Sequence, residues 1–113
     1  AMAGSYVEAI ARAAQDAQSL VRFLDGLDEH APATPAAIGH AAQLADAVER
    51  VVYQALQEAY PDWSAKAAAD QALESIDAFR AAAQGNDVRL MRAAARGALD
   101  HLNRARELDE PAP

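Results

Sequence analysis

Residues 72–102 read ALESIDAFRAAAQGNDVRLMRAAARGALDHL, and this stretch decides the fold. Ala72, Ile76, Phe79 and Ala83 recur at alternating spacings of four and three. That places them on one stripe of an α-helix. Gln84, Gly85, Asn86 and Asp87 then break the pattern. Glycine at a helix C-terminus followed by Asn or Asp as N-cap is a stop-and-restart signal. Val88, Met91, Ala95, Ala98 and Leu102 resume the same spacing, with Leu90 and Leu99 on the flanks. The reading is two antiparallel helices joined by a tight turn.

The pattern extends in both directions. The later helix continues through Ala105 to about Leu108, leaving residues 109–113 as a frayed tail. The earlier one starts near Asp62, its expected cap, and carries Ala65 and Ala69 on its stripe, with Leu73 beside it. Pro61 marks a corner before it. Upstream, Ile38, Ala41, Ala45, Val48, Val52, Ala55 and Ala59 form a stripe from Pro35 to about Tyr60. Thr34 then Pro35 reads as N-cap and first helical residue. The first helix is expected from Ser5 to Leu24, on Tyr6, Ile10, Ala13, Ala17, Leu20, Leu24 and Leu27. Ser5 with Glu8 reads as a capping box and Gly26 as the stop.

Four helices with short connections predict an all-α, antiparallel up-and-down four-helix bundle. The sustained three-four spacing makes an extended helical hairpin or coiled-coil dimer the rival. Residues 6–108 form the expected single domain, and residues 1–5 read as a cloning scar. Leu20, Ile38, Val48, Val52, Ile76, Phe79 and Leu102 are the expected core.

Composition narrows the function. The chain has no cysteine, which excludes disulfides, thiolate metal sites and cysteine nucleophiles. No apolar run approaches the roughly 20 residues of a membrane span, and no secretory leader is evident, so the expectation is a cytoplasmic protein without a membrane partner. Alanine dominates the apolar fraction, and Lys66 is the only lysine. That bias is typical of a GC-rich, bacterial genome. A net charge of −7, with aromatics at only 5%, disfavours nucleic acid.

Chemical motifs are sparse. None of His30, His40 and His101 has a glutamate three residues earlier, so the Glu-x-x-His pair of a di-iron bundle is missing. The expectation is neither metal nor cofactor. Asp25, Asp28 and Glu29 lack the ligand run of a calcium loop and read as a solvated loop or a patch for a basic partner. Arg89, Arg92 and Arg96 form a ridge on the fourth helix, and Asp70, Glu74 and Asp77 form one on the third. The expected arrangement is a ladder of ion pairs across the hairpin, with a surface for an acidic partner as the alternative.

The string Arg96-Gly97-Ala98-Leu99-Asp100-His101 resembles the Arg-four-residues-His motif of the HEPN family. The resemblance covers these six residues. It implies a helical RNA-directed ribonuclease or toxin–antitoxin component in which Arg96 and His101 act at a dimer cleft. Family members commonly have a polar residue where Gly97 stands. On an ideal helix the two side chains point about 140° apart, so one compact site requires a partner chain.

Tyr53 falls on the polar face of its helix, while Phe23, Tyr60 and Trp63 are poorly explained by the stripes. Tyr and Trp are enriched at binding hot spots. Tyr53, Phe23, Tyr60, Trp63, Arg89, Arg92 and Arg96 are therefore the candidate interface residues. The expected function is a non-enzymatic interaction module of adaptor, accessory or immunity type that binds a protein or itself. Two alternatives stand beside it: a bundle holding a small apolar ligand between alanine-rich helices, and the ribonuclease reading.

Overall fold

The computed structural model describes the backbone of residues 2–58 and 63–109. Four helices follow in order: α1 (Met2–Asp25), α2 (Pro35–Glu58), α3 (Trp63–Gln84) and α4 (Val88–Asp109). They form an antiparallel up-and-down bundle measuring 46 × 20 × 19 Å. Each helix packs on two neighbours: α1 on α2 and α4, and α3 on α4 and α2. The closest pairing is α3 with α4 and the loosest is α2 with α3. The contact of α1 with α4 closes the ring and excludes an open, extended hairpin.

The stripes form the core. Tyr6, Ile10, Leu20, Leu24, Val48, Val52, Ile76, Phe79, Met91 and Leu102 are fully buried, with alanines filling the spaces between them. Alanine costs no side-chain entropy in a helix and lets backbones approach closely, so a few large residues suffice. Ile38 departs from expectation. It is only half-buried, because it lies in the first turn of α2 at the end of the bundle, where neighbouring helices cover one side.

The helix ends follow local chemistry. Thr34 caps α2: its hydroxyl accepts from the Ala37 N–H at 3.1 Å and its carbonyl from the Ile38 N–H at 3.0 Å. Ser5 does not cap α1. The helix already runs from Met2, so Ser5 has helical backbone and cannot be the non-helical residue that a capping box requires. Tyr60, Pro61 and Asp62 lie outside the described residues, as do the side chain of Trp63 and the tail from Glu110 onward.

The α3–α4 turn differs from its sequence reading in one respect. Asn86, not Gly85, takes the left-handed conformation, with φ 50°. Its N–H bonds the Ala83 carbonyl at 3.1 Å, and the Asp87 N–H bonds the Ala82 carbonyl at 3.0 Å. This is the paired-bond stop of a Schellman motif, one residue later than glycine predicts. Asp87 then caps α4 through the Leu90 N–H at 3.1 Å. Asn86 wins the position because its amide also bridges to the α1–α2 loop. It donates to the Ala33 carbonyl at 3.1 Å and accepts from the Ala33 N–H at 2.9 Å. Asn86→Ala removes both bonds and puts an ordinary Cβ at positive φ. We expect it to cost about 2 kcal/mol in urea denaturation, whereas Asn86→Gly, which relieves the backbone, should cost less.

Candidate functional site

Every buried residue among those described is apolar, and none of their buried side-chain polar atoms lacks a partner. Anything this bundle recognises with polar groups must therefore meet its surface. No cluster of three or more His, Asp or Glu able to hold a metal ion occurs among the described residues. None of the described helices is long and apolar enough to cross a membrane.

The charged ridges do not pair with each other. Arg92 turns toward α1, whose last carbonyls have no partners within the helix. Its Nε donates to the Leu24 carbonyl at 2.9 Å, and its Nη2 donates to the carbonyls of Asp25, at 3.2 Å, and Leu27. Its Nη1 meets Glu29 Oε2 at 3.0 Å. Arg96 lies one turn further on and donates to Asp25 Oδ1 at 3.0 Å. The acidic cluster at the end of α1 is thus a receptor for two arginines of α4, and the cation also suits the negative end of the α1 dipole. Asp28 instead accepts from the His30 N–H at 2.8 Å, shaping the loop.

On the other side of the hairpin, Asp70 pairs with Lys66 of its own helix at 3.1 Å. Glu74, Asp77 and Arg89 are exposed and take part in no ion pair. The expected α3–α4 ladder is absent because the two ridges occupy opposite edges of the hairpin. Arg96 sits on the α1-facing edge of α4, and Arg89, two turns earlier, shares that edge. Asp77 stands three residues before Arg80, whose guanidinium crosses to α2 and meets Asp46 at 2.8 Å and Glu49 at 3.3 Å. Asp77 therefore lies on the α2-facing edge. The Asp46 hydrogen bond is the main reason that the Arg80 pKa lies above its usual value; partial burial works against it and Glu49 adds to it.

Between the edges lies an alanine surface. Ala78, Ala81 and Ala82 of α3 and Leu90, Ala93 and Ala94 of α4 line an open apolar depression of about 450 Å³. Leu90 is 57% exposed at its rim. Leu90, on the flank of the α4 stripe, thus points out of the bundle. A Cβ on Gly97 would stand 3.2 Å from Ser75 Oγ, so the two helices approach each other closely there. Leu108, at 41% exposure, stands 18 residues after Leu90, about five turns on, and faces the same way.

The other candidates scatter. Tyr53 is 52% exposed on α2, as its position on the polar face predicts. Phe23 is half-buried, its ring edge-on to His40 with centroids 4.6 Å apart. Tyr60 and the Trp63 side chain lie outside the described residues. Arg96 and His101 are not brought together within one chain. Arg96 reaches α1, while His101 lines a depression with Gln71 and Arg104 on the α3 side of α4.

Leu90 and the capping role of Arg92 are the two features that sequence reading missed. A signal for Leu90 was present: positions 90, 94, 97, 101, 104 and 108 repeat the three-four spacing on a second side of α4. No protein-family model matches the chain, and neither a curated protein nor a solved structure does.

Proposed function

We propose that this protein is a non-enzymatic interaction module of adaptor or accessory type, acting through the outer face of the α3–α4 hairpin. The observation that carries the reading is the exposed leucine beside an alanine-lined depression, on a bundle whose described interior holds no charged side chain. An apolar surface depression rimmed by charged residues is a feature that interaction sites share. The cytoplasmic setting and bacterial origin expected from composition belong to the same reading.

The test is in-cell crosslinking of the tagged protein in its source organism, compared with Leu90→Glu and His101→Ala. We expect crosslinked protein species with the wild type, their loss with Leu90→Glu and their retention with His101→Ala. RNA cleavage that disappears with His101→Ala would overturn the reading in favour of an enzyme.

A further inference from the structure

Asp77, which has no ion-pair partner within one chain, can meet a cation in a second copy. We infer that the outer α3–α4 face binds a second copy of this chain about a two-fold axis running parallel to the helices. This rests on the interaction-module reading and names its partner.

Three observations converge on it. The first is charge. The α2-facing edge of α3 carries unpaired Asp77, and the α1-facing edge of α4 carries Arg89 and Arg96 in its first half, before Asp100 and Glu107; Arg96 remains 62% exposed despite its contact with Asp25. A two-fold axis along the length of this face lays α3 over α4 of the partner, so Asp77 of each copy comes to the edge that carries Arg96 of the other, twice.

The second is register. Ser75 is level with Gly97 in the antiparallel hairpin. Two residues along α3 and two back along α4 bring Asp77 level with Ala95, within about 1.5 Å of the height of Arg96. An axis parallel to the helices preserves height, so Asp77 of one copy faces the arginine of the other without sliding.

The third is shape and size. Leu90 is a large residue at the rim of a depression otherwise made of alanines, so two copies can each seat a leucine against the other's Ala78 and Ala81. Exposed alanines present no long side chains to hold the helices apart. The face is about 33 Å long, for 22-residue helices, and about 20 Å wide. That is on the order of 600 Å² per copy, which puts the pair at the lower limit for a specific interface and predicts a reversible, concentration-dependent dimer.

Sedimentation equilibrium on the full chain tests this with two charge-reversal variants. The wild type should dimerise in the micromolar range. Leu90→Glu should weaken association at least tenfold, with helicity and unfolding midpoint at low concentration unchanged, since Leu90 is not in the core. Asp77→Arg alone faces arginine with arginine, and Arg96→Asp alone faces aspartate with aspartate; each should weaken association about tenfold. An equimolar mixture of the two restores opposite charges at both edges and should recover the wild-type affinity as a heterodimer. A mixture no tighter than its components would overturn the two-fold arrangement. A wild type that stays monomeric to millimolar concentration would overturn self-pairing. If such a monomer still crosslinks to another protein in a Leu90-dependent way, the face belongs to a different partner and the interaction reading survives without this inference.

Discussion

Phe79→Ala is expected to cost about 3–5 kcal/mol in urea denaturation, the largest loss from any single truncation in this bundle. Phe79 is fully buried, and Tyr6 is the only other aromatic in the described core. Its surroundings are rich in alanine, and an alanine has no rotamer with which to move into a vacated space. The cavity therefore persists, and the loss falls at the upper end for a core aromatic. Total stability for a domain of this size is about 5–15 kcal/mol, so the variant should be near its unfolding threshold at growth temperature. Ile76→Ala should lose about 2–4 kcal/mol by the same argument. A loss below about 1 kcal/mol for Phe79→Ala would mean that the α3 stripe does not face the core.

Arg92→Ala ranks second, at about 2–4 kcal/mol. The side chain is only 19% exposed and holds three backbone carbonyls and one carboxylate at the end of α1. Hydrogen bonds from a charged donor contribute more than neutral ones, and their removal takes the donor from the Asp25 and Leu27 carbonyls, while the Leu24 carbonyl keeps the Leu27 N–H. Arg92→Lys should recover less than half of the loss. An ammonium is a point charge and cannot span carbonyls and a carboxylate that a planar guanidinium reaches together. Amide exchange should report the site of damage, with faster exchange through residues 20–27 and little change in α3. Equal stability of Arg92→Lys and wild type would show that charge alone, and not the fork geometry, holds this end.

The fold was legible because its determinants are periodic. Spacings such as Ile76 to Phe79 and Met91 to Ala95 depend only on the helix repeat, and they name the buried face before any partner is known. Helix ends with a local chemical signature, such as Thr34-Pro35, were legible for the same reason. Asn86 was harder. Both Gly85 and Asn86 tolerate a left-handed backbone, and what decides between them is a pair of bonds to Ala33, 53 residues away. The charge pattern misled most. Arg92 and Asp77 look like ladder partners when the hairpin is folded flat, but the pairing depends on the angular position of each residue around its own helix. Arg92 also finds backbone carbonyls, which carry no residue-type signal. Leu90 lies on the stripe flank, and a flank position alone does not tell whether a neighbouring helix or solvent covers the side chain. Of the candidate site residues, Tyr53 is exposed as its helix phase predicts, while Arg96 and His101 lie on different sides of α4, as their spacing of five predicts.

Self-pairing through the outer α3–α4 face is the proposal with the most specific structural consequence. The most direct measurement is a concentration series of amide NMR spectra on the isotopically labelled wild-type chain. The signals of Ala78, Ala81, Leu90 and Ala93 should shift progressively with concentration, with a smaller response at Asp77 and Arg96. Shifts that cluster instead around Tyr53 on α2 or around Phe23 and His40, or spectra that do not change with concentration at all, would contradict it.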